Sequence, residues 1–331
     1  MATMREVAQR AGVSVATVSY VLNDVHKVRP ETGQRVLQAA RELGYTPNTA
    51  ARSLAVGRSS IVGLIVPDIV NPFFPDIIKA VQEAADVAGM ETILINTNYD
   101  PQRTRSAVTR LVSMQVPGAA FLTSQVDASI KEALSAKHIS AVYLDHGGAG
   151  PYVGSIAIDY RNGILEAVEH LAQLGHQRVG FLGGPADGVS AQRRKAAFVQ
   201  GAEAAGMEIR MVDSDFSVQG GYFSCSRVWS GFDPTAIVAA NDLMAIGALH
   251  YAFDRGVPVP ARLSIVGFDD ITFAQFTQPA LTTVAVPRAE IGRHAFQSLR
   301  AMINDPGRGG TECEVKTKLV IRQTTAAPPS A

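Results

Sequence analysis

The chain has 331 residues, 47% hydrophobic and 18% charged, with Lys plus Arg balanced by Asp plus Glu at 30 each. That length holds two or three domains, and the mix excludes disordered, fibrous and disulfide-stapled classes. Apolar runs such as Ile61-Val62-Gly63-Leu64-Ile65-Val66 are too short to cross a bilayer, and the N-terminus has no apolar signal core, so a cytoplasmic protein is expected. The zero net charge hides an asymmetry. Residues 1–58 carry eight bases and four acids, a net +4 offset by −4 over the remainder. A small basic module on a mildly acidic body suits one phosphate-binding end. Cys225 and Cys313 lie far apart with no metal spacing, and both are expected to be small buried hydrophobes.

Taken in order, Thr3 and Glu6 form a capping box that starts a helix through Val7, Ala8 and Ala11. Gly12 breaks it, and Ser14 caps a second helix. On that helix Val18, Val21 and Leu22 make one apolar face, while Ala16, Thr17, Tyr20 and Asn23 point the other way. Two short helices joined by a Gly-containing turn are a helix-turn-helix, and a small, hydroxyl-bearing outer face can lie deep in a DNA major groove. A third helix is predicted from Pro30 to Leu43, closed by Gly44, with Val36, Leu37, Ala40 and Leu43 inward. Gly33 within it costs about 1 kcal/mol against Ala, and Arg29 precedes Pro30 where Ser would cap better.

From Ile61 the pattern alternates. Strands are predicted at 61–66, 92–95, 118–122, 141–144, 179–182, 237–240, 263–266 and 319–321. Helices are predicted at 75–88, 104–114, 128–136, 163–174, 191–204, 220–229, 243–253 and 291–303. Short apolar strands alternating with helices imply parallel sheets, and two such series imply two doubly wound subdomains with a cleft between them. No G-x-G-x-x-G follows a strand, and there is no P-loop or G-x-S-x-G elbow, so neither a cofactor nor an enzyme activity is expected.

The first 54 residues, with Tyr45-Thr46-Pro47-Asn48 and the short segment Thr49-Ala50-Ala51-Arg52-Ser53-Leu54 after the third helix, resemble the DNA-binding headpiece of the LacI/GalR family of bacterial transcription regulators. The resemblance runs to about Gln323. It implies an α/β core of two doubly wound parallel-sheet subdomains, periplasmic-binding-protein type I-like, preceded by a small all-α helix-turn-helix headpiece. The expected divisions are a headpiece at 1–46, a hinge helix and linker at 47–59, a first core subdomain at 60–158 plus 288–318, a second at 159–287 plus 319–325, and a disordered tail at 326–331. The implied crossings between subdomains fall near Asp159, Pro287 and Lys318.

By the same resemblance, Val15, Ala16 and Tyr20 read bases, and Ser14, Thr17, Ser19, Asn23, Tyr45 and Asn48 hold phosphates. Ala51 and Leu54 enter the minor groove as an apolar wedge. Tyr20 stands where many members carry Arg, so a bidentate contact to guanine is missing. The partners implied are a second copy of the chain, a pseudo-palindromic double-stranded operator and a small effector, with no membrane. The last ten residues carry two prolines and no heptad, so the assembly is expected to stop at a dimer.

The effector is expected at the carboxyl ends of the strands. Phe73 and Phe74, in a loop between Pro72 and Pro75, would lie over a flat ligand. Asp145, Ser190, Arg194, Phe216, Asn241 and Asp269 occupy the family's ligand-contacting positions. Carboxylates, amides and an Arg fork suit hydroxyl-rich ligands. The reading is a repressor allosterically controlled by a carbohydrate or related metabolite. Val286 stands where some sugar-responsive members carry Gln, and the alternatives are a nucleobase or nucleoside corepressor, or a partner protein.

Overall fold

The computed structural model describes residues 2–22, 28–45, 59–123 and 126–329, and the chain divides into two compact units, Met1–Ser59 and Ser60–Ala331. The first unit holds α1 (Met4–Ala11), α2 (Val15–Leu22) and α3 (Pro30–Glu42). Thr3 caps α1, with Glu6 completing the capping box, and Gly12 closes it at φ 63°. Ser14 Oγ accepts the Thr17 amide at 3.1 Å and so caps α2. Val7, Ala8, Ala11, Val18, Val36, Ala39 and Ala40 form the core. Two expectations fail here. Leu37 and Leu43 are exposed, and Ala39 takes the inward place. The α3 core face runs along the small residues, which allow α1 and α2 to approach closely.

The second unit contains two six-stranded sheets. The first is ordered β11-β5-β4-β3-β1-β2, and all its pairings are parallel. Its strands are β1 (Ile61–Val66), β2 (Glu91–Asn96), β3 (Gly118–Phe121), β4 (Ser140–Leu144), β5 (Val153–Ile158) and β11 (Glu312–Val315). The second sheet is ordered β12-β10-β9-β8-β6-β7, with β12 antiparallel to β10 and the rest parallel. It is built from β6 (Arg178–Gly183), β7 (Glu208–Asp213), β8 (Ala236–Ala239), β9 (Ser264–Asp269), β10 (Thr282–Ala285) and β12 (Lys318–Val320). The chain passes from the first sheet to the second after β5, returns after β10, and passes back between β11 and β12.

The helices are α4 (Phe73–Val87), α5 (Pro101–Ser113), α6 (Ala128–Ala136), α7 (Tyr160–Gln173), α8 (Val189–Ala204), α9 (Val218–Trp229), α10 (Asp242–Asp254) and α11 (Arg288–Asn304). α4 and α11 pack together on one face of the first sheet, and Val108, Leu111, Ile130 and Leu134 of α5 and α6 cover the other. A continuous core joins both sheets.

Four strands escape the sequence pattern. Gly154-Ser155 interrupt the apolar run of β5, β7 and β11 are partly exposed edges, and β10 buries Thr282 and Thr283 completely. Phe73 and Phe74 are not in a loop. They form the first turn of α4, entered by Asn71, whose Oδ1 accepts the Phe73 amide at 3.0 Å. The tail expected to be free from residue 326 is held at its start. The Ala326 carbonyl meets His176 Nε2 at 2.9 Å, and its amide donates to Ser264 Oγ at 3.1 Å. Cys225 is buried as expected, but Cys313 on the edge strand is only half-buried.

Candidate functional site

Between the two sheets, at the carboxyl ends of their strands, lies a cleft of about 370 Å³. All eight residues expected there line it: Phe73, Phe74 and Asp145 from the first subdomain, and Ser190, Arg194, Phe216, Asn241 and Asp269 from the second. Parallel strands explain the convergence, because every strand in a sheet then delivers its following loop to the same edge.

Arg194 sits on the buried side of α8, 6% exposed. Its Nη2 donates to Asp269 Oδ1 at 3.4 Å. The guanidinium carbon stands 4.5 Å from the ring centroids of Tyr160 and Phe268, and 5.5 Å from that of Phe216. Aromatic faces favour a cation and hold its plane. Arg194 Nε is buried and has no acceptor among the described residues. Buried donors are almost always satisfied, so an unmatched one beside a cleft is a donor left available to an acceptor from outside the protein.

Asp269 ends β9, 4% exposed. Burial pushes its carboxyl up to about 6, against the opposing pull of Arg194 and Arg288. Asp145 directly follows β4, and burial likewise raises its carboxyl above the usual range. Its Oδ1 accepts the Ile158 amide at 3.0 Å and lies 3.4 Å from Arg193 Nη1, while its Oδ2 accepts the Tyr160 hydroxyl. Asn241 caps α10: its Oδ1 accepts the Met244 amide and its Nδ2 donates to the Phe216 carbonyl, both at 2.9 Å. That bond fixes Phe216, whose ring lies where a side chain at Gly184 would otherwise stand. Directly after Asn241, Asp242 is fully buried with its carboxyl held well above the usual range, first by burial and then by Asp269.

Tyr99, Asp145, Phe216 and Asp269 all adopt positive φ, at 56°, 58°, 62° and 111°. Such conformations cost on the order of 1–3 kcal/mol each and persist only where surrounding structure enforces them. Sequence reasoning missed Tyr160, Tyr99, Thr123, Asp187 and Asp215, which also line the cleft, along with Asn71. Tyr160 follows the unrecognised β5 and Asp215 the unrecognised β7. The available signal was position after a strand end, and it is lost when the strand itself is not recognised.

On the headpiece, Val15, Ala16 and Tyr20 are exposed on α2, an apolar and aromatic face without a charge. The hydroxyls of Ser14 and Thr17 are 2.8 Å apart. Ser19 is half-buried, and Tyr45 packs against the headpiece core. Asn23, Asn48, Ala51 and Leu54 lie outside the described residues. Among the described residues no cluster of metal-ligating side chains occurs, and no helix is long and apolar enough to cross a membrane.

A helix-turn-helix unit in one chain with a two-sheet unit whose own cleft lies between its sheets defines a DNA-binding regulator with an effector-binding core. The family comparisons agree. Residues 3–48 match the bacterial regulatory proteins of the lacI family, and residues 168–325 match the periplasmic binding protein-like domain. The chain is 32% identical to the HTH-type transcriptional repressor PurR of Mannheimia succiniciproducens, over 98% of each chain. It is 34% identical to the HTH-type transcriptional repressor CytR of Escherichia coli, over 99% of this chain and 97% of that one. A crystal structure of the lac repressor dimer bound to operator and the anti-inducer ONPF superposes with a TM-score of 0.86 at 28% identity, covering 98% of this chain and 99% of that one. The protein belongs to the lacI family of bacterial transcriptional regulators.

Proposed function

We propose that the protein is a cytoplasmic, homodimeric repressor whose affinity for a pseudo-palindromic operator is set by a neutral, hydroxyl-rich effector, a carbohydrate, bound in the cleft. The observation that carries this is the charge of the cleft lining. Among the described residues it contains four carboxylates, Asp145, Asp187, Asp215 and Asp269, and one cation, Arg194, which Asp269 already engages. A phosphorylated or carboxylated ligand would add negative charge to walls that hold an excess of it. Sugar hydroxyls would instead donate to carboxylate oxygens and accept from Arg194 Nε. The effector set is Phe73, Phe74, Asp145, Ser190, Arg194, Phe216, Asn241 and Asp269. A flat nucleobase or nucleoside is the second reading, favoured by the aromatic rings of Phe73, Phe74 and Phe216 at the cleft.

DNA is read by Val15, Ala16 and Tyr20, with Ser14, Thr17, Ser19, Asn23, Tyr45 and Asn48 on the backbone and Ala51 and Leu54 in the minor groove. One headpiece buries too little surface for a tight specific site, so two are needed. Light scattering should give twice the chain mass of 35.1 kDa.

Calorimetric titration of the full chain with neutral sugars, sugar phosphates, purines and nucleosides tests the reading. A neutral sugar binding once per chain and changing operator affinity about 5- to 150-fold would support it. Exclusive binding of a phosphorylated ligand would refute the neutral class, and exclusive binding of a nucleobase would favour the second reading.

A further inference from the structure

Beside the Asp269 wall of the cleft, a further side chain bonds to both subdomains. Arg288 is the first residue of α11, where the chain has just returned from β10 to the first sheet. Its Nε and Nη2 donate to Asp76 Oδ2 at 3.0 and 2.8 Å. Asp76 lies on the first turn of α4, the turn that carries Phe73 and Phe74 into the cleft. The remaining nitrogen, Nη1, donates to the carbonyls of Asp269 and, at 2.8 Å, Asp270, in the second subdomain. Those two residues have φ of 111° and 53°. Asp270 is anchored from its other side by Arg322 Nη2 at 2.6 Å.

We propose that Arg288 is a strut of the cleft, a positioning residue that fixes the spacing between the α4 wall and the Asp269 wall and so ties any change at Asp269 to the orientation of the first subdomain. The planar fork is what allows this. A guanidinium can satisfy a carboxylate on one edge and two carbonyls on the other, whereas an ammonium cannot span both. Every Arg288 nitrogen is engaged, and its side chain is 11% exposed, while Asp76 at the outer end of the fork is 47% exposed. Arg288 also acts on Asp269 through charge, as one of the two cations that oppose the upward push of burial on that carboxyl. The other charged or titratable groups around it are Arg194, Asp242, Tyr99 and Tyr160. The regulatory meaning of this strut rests on the cleft being the effector site. The strut itself is a property of the ligand-free protein and is tested there.

The full chain, in a background with both cysteines replaced, carries spin labels at Ser106 on α5 and Glu203 on α8 and is diluted with unlabelled chain. Electron–electron double resonance then reads the distance between subdomains without ligand. R288M and D76N should shift or broaden that distribution by roughly 2 Å or more, while the control E83Q on the exposed face of α4 should not. Carboxyl NMR of Asp269 gives a readout that simple destabilisation would not move. Its titration should rise in R288M and stay near its original value in R288K, which keeps the charge and still broadens the distance. If R288M does not fold, D76N decides by the same criterion, because the Asp76 side chain is 47% exposed. An unchanged distribution in D76N, or a native distribution in R288K, overturns the proposal. Failure of every sugar in the calorimetric panel would leave this result standing, so the two readings fail separately.

Discussion

The recognition surface and the cleft solve recognition in opposite ways. On α2 the groups that would meet a partner, Val15, Ala16 and Tyr20, are exposed and uncharged on a unit whose core is seven small side chains. In the cleft the corresponding groups are buried, polar or charged, and already bonded: Asp145 to Tyr160 and the Ile158 amide, Asn241 to the Phe216 carbonyl, and Arg194 to Asp269. A preorganised site loses little freedom when a ligand arrives, so small differences in ligand chemistry become large differences in affinity. An exposed apolar face discriminates weakly by itself and gains specificity from being presented twice, in register, on DNA. The difference is one of position. A helix on a small unit can offer its outer face, whereas only two large packed layers can bury charges and hold them apart.

The comparison breaks most sharply at Arg194. R194A should lower effector affinity about a hundredfold, roughly 2–3 kcal/mol for charge-assisted bonds, while operator binding without effector changes much less. Calorimetry and gel shift on the same preparation measure both, and equal losses at the two sites would show that they are not separable.

On the headpiece side, Val18 is fully buried, and V18A should remove about 2 kcal/mol from a unit with few buried residues to spare. Calorimetric scanning should show the headpiece transition fall with the core transition unmoved. Coincident shifts of both would mean that the two units unfold together.

The buried charge of the cleft should appear as pH dependence. Asp269 is raised from the ordinary 3.8 to about 6, so the folded state holds its proton more tightly. Its favourable contribution is complete below pH 4 and is lost as pH rises through 6. Relative to D269N, the native chain should therefore be more stable at pH 5 than at pH 7.5, by about 1 kcal/mol. Urea unfolding of both proteins at the two pH values checks the sign, and a constant difference would place Asp269 in an ordinary environment.

The smallest effect is local. S14A removes the cap of α2 and should cost the headpiece about 1 kcal/mol, with a matching loss of operator affinity and no change at the cleft. Amide exchange along α2 would show the fraying.

Much of this was legible in the chain. The capping box at Thr3 and Glu6, the Gly12 turn and the alternation of short apolar strands with helices are local facts, set by dihedral preference and periodicity. Eight cleft residues could be named from the family resemblance, and they gather because a parallel sheet sends every loop to the same edge. What the chain did not show was set by neighbours distant in sequence. Thr282 and Thr283 are polar by type yet fully buried, with Thr283 bonded to Asp242. The aromatic box around Arg194 is assembled from α7, β9 and the loop before α9. The positive φ at Asp145 and Asp269 is held by bonds across the sheet and from Arg288. Sequence by itself determined most of the elements and at which edge their loops gather. Only the tertiary structure decided which of the gathered groups are stripped of water and paired, because desolvation depends on everything packed around an atom and not on its neighbours along the chain.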